Sequence, residues 1–292
     1  MCWHRVVYVT KALIGGYDAA FRKISFYNQE QTYNENENRD LWEYQLGLSQ
    51  ANVDFVTDHA WEILDKEYVY YFFKENCAFR MVELLEVLPE IRVTSSIDAY
   101  TIPQAVIQKL GRHTINGKPL IKNTFYYPSR QTRLYSKYEA LDLSEKDIFK
   151  AMVTHGVEAA HPLYAKAEIE TKQKILDTII DYYSFITDVK EKQTQQRSPN
   201  YLKALAMRFD LPAVHDDASF TPRHSPEKGR LPSWVQISSY VDGLHGSLIR
   251  IRPAYYDQLD SSTAHVKNSA LSMFDTQLVV FDNKVKLKKI DI

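Results

Sequence analysis

Asn76-Cys77 is the pair in this chain whose chemistry is most easily stated. It follows the run Tyr70-Tyr71-Phe72-Phe73-Lys74-Glu75 and opens the stretch Ala78-Phe79-Arg80-Met81-Val82, so extended aromatic sequence gives way to a helix at the thiol. A thiol in the first turn of a helix faces the positive end of the macrodipole and backbone N–H groups with no intrahelical acceptor. Both favour the thiolate, which is the nucleophile. The N–H of Cys77 itself would stand beside the sulfur as an oxyanion donor. Asn76 is an N-cap residue type, and its amide could also help to hold an oxyanion. A thiol nucleophile needs a base. His59, on the preceding helix, is the candidate, with Glu62 three residues on as a partner to orient it. Plainer roles stay open for both residues. Cys77 shares a helical face with Met81, Leu84 and Leu88, as a small buried hydrophobe would, and His59 suits helix packing.

Metal chemistry has little support. His215-Asp216-Asp217 and His224 have ligand types, but their spacing fits no standard zinc pattern, and nearby prolines mark a solvated loop. Neither a metal nor a cofactor is expected. The 36 basic and 37 acidic residues nearly balance, which leaves no basic excess for nucleic acid. No run reaches the roughly 20 apolar residues of a spanning helix. Met1-Cys2-Trp3-His4-Arg5 does not begin a secretory signal. The two cysteines, Cys2 and Cys77, make no disulfide framework. The 20 tyrosines suit amphipathic surfaces.

The elements that must position the pair follow from capping and period. Ser49 caps a helix running to about Lys66, with Val53, Val56, Ala60 and Ile63 on one stripe. Residues 68–73 read as a buried strand or extended entry, and the Cys77 helix runs to about residue 88, before Pro89. Pro103 opens a helix ending near Gly111, and Asn116-Gly117 marks a hairpin. Ser144 with Asp147 reads as a capping box. A long helix is expected over 162–190, a polar linker over 191–200, and another helix from Ser198-Pro199. Prolines at 212, 222, 226 and 232 then mark a boundary. Beyond it, two hairpins are expected, 233–241 with 248–255 and 271–281 with 285–292, the second turning at Asp282-Asn283. The division is thus 1–211 and 212–292, in an α+β chain that is mostly helical first and antiparallel β-hairpin afterwards.

Four pieces carry a family resemblance: Gly15-Gly16-Tyr17, Arg39-Asp40-Leu41-Trp42-Glu43-Tyr44, His59-Ala60-Trp61-Glu62, and the run from Tyr70 to Cys77. In order and spacing they resemble the N-terminal periplasmic domain of the Lnb-type lipoprotein N-acyltransferases, with weaker likeness through Pro128-Ser129-Arg130 and the C-terminal hairpins. The resemblance implies a permuted papain-like thiol-enzyme region on the periplasmic side of a bacterial envelope, possible outer-membrane association, and partners that are phospholipid and lipoprotein. It implies that a fatty acyl group moves from phospholipid through a Cys77 thioester to an amine. Departures are Ala78, where serine is common, and Tyr256, where a histidine is expected. The Gly-His element that usually precedes the glycine pair is not found upstream, so the chain reads as an internal piece of a longer protein. Two alternatives differ in kind. One is a Cys hydrolase (lipase, amidase or peptidase), and the other a non-enzymatic envelope or outer-membrane scaffold, whose strands would carry the same dyad alternation.

Overall fold

The computed structural model describes residues 11, 15–94, 100–158, 162–186, 198–213, 224–242, 245–260 and 269–291. Cys2, His4, His161, His215, Asp216, Asp217, Gly243 and His265, the linker over 191–197 and the helix end at 187–190 lie outside the described residues. In chain order the elements begin β1 (Tyr17–Ala20), α1 (Phe26–Glu30), β2 (Leu41–Leu46), α2 (Gln50–Ile63), β3 (Glu67–Tyr70), α3 (Cys77–Leu85) and α4 (Pro103–Arg112). They continue with β4 (Thr114–Ile115), β5 (Lys118–Pro119), β6 (Ile121–Tyr127), α5 (Arg130–Ala140), α6 (Leu143–His155), α7 (Pro162–Lys166), α8 (Ile169–Ile186) and α9 (Pro199–Phe209). The last are β7 (Trp234–Val241), β8 (His245–Arg252), β9 (Ala254–Tyr256), β10 (Leu271–Met273), β11 (Asp275–Phe281) and β12 (Lys284–Asp291). The chain is α+β, and the β1–β3, β4–β5, β9–β10 and β7–β8–β11–β12 pairings are antiparallel. Among the described residues no helix is long and apolar enough to cross a membrane.

By contacts the chain forms two compact units, one from Met1–Lys23, Tyr44–Thr124 and Arg223–Ile292, the other from Ile24–Glu43 and Phe125–Pro222. This division groups residues otherwise than the sequence boundary at 211/212, because each unit is assembled from separate stretches of chain.

The first unit carries Cys77. Its core gathers Val82 of α3, Leu88, Ile91, Val106 and Leu110 of α4, and Leu120. Burying side chains of this size contributes roughly 1.5–3 kcal/mol each. β1 pairs with β3, Tyr17 opposite Tyr70. Gly15, just before β1, has φ +80°, and a Cβ there would lie 2.5 Å from the Tyr71 ring. Glycine is therefore required where the chain passes the segment leading to Cys77. Asn116-Gly117 turns β4 into β5 as the sequence indicates, with both φ values positive. The C-terminal hairpins form a four-stranded sheet of order β12-β11-β8-β7. Its expected strand over 271–281 is broken at Phe274, which takes φ +53°.

The second unit packs α5, α6, α8 and α9 around Met152, Ile175, Leu176, Ile179 and Ala204. Asp142, not Ser144, caps α6 and makes the capping box with Glu145. The long helix expected over 162–190 is α7 and α8, interrupted at residues 167–168. Glu35 accepts from Arg130 (2.5 Å) and from Arg133. Burial would push the Glu35 carboxyl up, but these two guanidinium groups outweigh it and hold the carboxyl below its usual range. Asp40 is likewise held low: burial is overcome by donors from Ser129, Thr132 and Tyr126.

Candidate active site

Cys77 is the first residue of α3 and is exposed. The helix begins there because Asn76 takes extended backbone (φ −82°, ψ −177°) and its Oδ1 accepts from the Ala78 N–H (3.1 Å) and the Phe79 N–H (3.2 Å). The Arg80 N–H closes the first turn on the Asn76 carbonyl at 3.0 Å. Among the described residues, that leaves the Cys77 N–H without a hydrogen-bond partner, beside its own thiol. It is the donor an oxyanion at the sulfur would meet.

Asn76 does more than cap. Its Nδ2 donates to the Thr101 carbonyl (2.7 Å) and to the Phe72 carbonyl (3.2 Å). The Phe73 carbonyl in turn accepts from the Thr101 N–H at 2.5 Å. One buried side chain thus fixes the 71–76 entry, the start of α3 and the segment at 101. Both amide protons are committed, so in this geometry neither is free for an oxyanion.

The core face of α3 is not the one the sequence suggested. Ala78 and Val82 are buried, whereas Met81 is 43% exposed. The expected Cys77–Met81–Leu84–Leu88 face does not turn inward as a whole, and only Leu88, beyond the end of the helix, is fully buried. The helix is rotated so that Cys77 and Met81 look outward, and the buried-hydrophobe role for Cys77 is excluded. Phe72 is also 43% exposed, so apolar surface lies before and after the thiol along the chain.

Arg80, one turn after Cys77, is held by Glu75 (2.5 Å) and Glu83 (2.7 Å) and lies 4.8 Å from the Tyr68 ring centroid. Burial pushes the Tyr68 hydroxyl up, the Arg80 charge pulls it back, and charge at Cys77 pushes it up again. Through Arg80 the Tyr68 ring packs on the first turns of α3, a neighbour that the spacing of the residues did not reveal.

His59 is on α2, which packs against α3. Its Nδ1 lies 3.6 Å from Glu62 Oε2, the partner expected at that spacing. No hydrogen bond joins His59 to Cys77 among the described residues. His113 bonds the Glu90 carbonyl (2.8 Å), and His224 and His245 are exposed. No cluster of three or more His, Cys, Asp or Glu among the described residues could hold a metal ion.

The first unit thus presents an exposed cysteine at a side-chain-capped helix start. Residues 3–112, which contain that site, match the Lnb N-terminal periplasmic domain. The family places the domain on the periplasmic side of the envelope. No curated protein and no solved structure matches the chain.

Proposed function

We propose that Cys77 is the nucleophile of a phospholipid-dependent acyl transfer at the periplasmic side of the envelope. The thiolate attacks the ester carbonyl of a phospholipid, an S–C bond forms, and the glycerol oxygen leaves with a proton as the lysophospholipid. An amine, that of a lipidated N-terminal cysteine, then attacks the thioester and restores the thiol. Covalent catalysis of this kind divides one difficult step into two easier ones. The observation that carries the reading is the exposure of Cys77 at an Asn-capped helix start whose first N–H has no hydrogen-bond partner among the described residues. The family of residues 3–112 supports the setting, and exposed Phe72 and Met81 support an apolar donor.

Cys77 Sγ is assigned the attack, the Cys77 N–H the oxyanion, Asn76 the positioning of both, and His59 the role of candidate base. With no imidazole bonded to the sulfur among the described residues, the 292-residue chain is expected to acylate slowly. The test is incubation with phospholipid carrying a labelled acyl chain, followed by hydroxylamine. The reading predicts a hydroxylamine-sensitive label in the wild type and none in Cys77→Ala. Equal labelling of the two would end it. Release of free fatty acid without transfer to a lipopeptide would make the acceptor water.

A further inference from the structure

The four-stranded sheet of the first unit segregates its residues by face. The register places Ile237, Ile249, Leu278 and Leu287 in one row across β7, β8, β11 and β12. The row beside it, on the other face, is Ser238, Leu248, Val279 and Lys286. The first face is aliphatic at its edges and centre and bears no Lys, Arg, Asp or Glu. Ile237 is 73% exposed and Leu287 55%. The second face carries the charges, among them Arg250 paired with Asp275, and Lys289. Ordinary soluble sheets bury the aliphatic face and wet the charged one.

Curvature shows why the aliphatic face is not set for packing on another sheet. Lys288 Nζ of β12 lies 4.5 Å from the ring centroid of Tyr240 on β7. These are the two edge strands, roughly 14 Å apart in a flat sheet at ~4.8 Å per strand. Tyr240 is on the charged face, so the sheet curls with that face concave and the aliphatic face convex. Gly246, opposite Tyr240, sits where the curl is tight: a Cβ there would lie 2.3 Å from the Val280 carbonyl oxygen.

We infer that the convex face contacts the acyl chains of a lipid bilayer. A second copy is the poorer occupant, because two convex faces meet along a line. Four strands of about eight residues also offer only about 500 Å² in projection, against the roughly 800 Å² per partner of a stable interface. Fluid hydrocarbon conforms to a convex surface. The curl carries the crest, β8 and β11, deepest and lifts the edges of β7 and β12, unpaired among the described residues, towards water, where their backbone groups remain solvated. Lysines 284, 286, 288 and 289 crowd edge strand β12 and suit anionic headgroups beside it. The sheet is also tied to the Cys77 entry, since Phe274 at the head of β11 stacks edge-on against Phe73 at 5.0 Å.

Vesicle cosedimentation of the 292-residue chain tests this, with mixed phosphatidylethanolamine and phosphatidylglycerol vesicles. Binding is expected, at least tenfold weaker when Ile237→Lys and Leu287→Lys are combined, and unchanged in Ser238→Lys on the concave face. In separate variants, Ile237→Trp should be quenched by acyl-brominated lipid and Ser238→Trp should not. Absence of vesicle binding, binding indifferent to the paired substitutions, or a dimer abolished by them in place of vesicle binding would overturn the inference. It stands apart from the chemistry at Cys77. Acyl labelling from detergent-dispersed phospholipid without vesicle binding would sink the membrane contact alone, and the converse would sink the acyl transfer alone.

Discussion

Two helix starts in this molecule use the same local device for opposite ends. At α6, Asp142 caps through its Oδ1, which accepts from the Glu145 N–H at 2.8 Å, and Glu145 accepts from the Asp142 N–H at 2.9 Å. Two carboxylates sit on the positive end of that helix. At α3 the cap is a neutral amide, and the first turn contains no acidic residue. The residues at the first helical position, Leu143 and Cys77, are both exposed. One start is closed electrostatically by carboxylates, and the other carries no carboxylate in its cap or first turn. Stability alone would favour the first arrangement. The second makes sense if a thiolate or an oxyanion forms there during reaction.

The largest expected effect of a substitution here is that of Cys77→Ala. It should remove hydroxylamine-sensitive label entirely while leaving the melting temperature nearly unchanged, since the side chain is exposed. Asn76→Ala should be the more damaging to the fold. It removes a cap and two donors to the Phe72 and Thr101 carbonyls, for a loss of about 2 kcal/mol in denaturant unfolding of the first unit. Asn76→Asp sharpens the comparison, because it turns the open start into one resembling that of α6. A carboxylate at that position opposes the thiolate. Iodoacetamide should therefore alkylate Cys77 at neutral pH roughly two- to fivefold more slowly. A rate that stays constant would mean that the helix end does not act on the sulfur.

The smallest effect concerns acid. The Glu145 N–H and then the Ser144 hydroxyl hold the Asp142 carboxyl below its usual range. Its contribution is therefore full above the unfolded value and is lost as pH falls through the folded one. The neutral Asn76 cap has no such dependence. Asp142→Asn should make the acid decline of the second unit shallower below about pH 4, although Glu35 and Asp40, with the same sign, will keep most of it. The first unit's melt should not respond.

Local signals were legible where a few adjacent residues decide the outcome. Ser49, Asn76, Pro103 and Ser198-Pro199 mark helix starts, and Asn116-Gly117 and Asp282-Asn283 mark turns with positive φ. Signals failed where distant residues decide. Phe274 reads as the middle of a strand, yet it is held at φ +53° against Phe73, about 200 positions away in sequence. The helix over 162–190 keeps its apolar period through residues 167–168, and nothing in that period shows the break. Ser144 and Asp142 are both capping types two residues apart, and the partner Glu145 chooses between them. At the site, Asn76-Cys77 and the His59–Glu62 pair could be read from type and spacing. The outward rotation of α3 and the approach of Tyr68 could not, because both depend on what the opposite face of the helix packs against.

The most direct test of the account is peptide-level mass spectrometry of the chain trapped with acid after exposure to phospholipid. The account predicts a fatty acyl mass on the peptide containing Cys77, lost on hydroxylamine treatment, with Cys2 unmodified. An adduct on Cys2 instead, or no adduct on Cys77 while transfer to a lipopeptide proceeds, would contradict it.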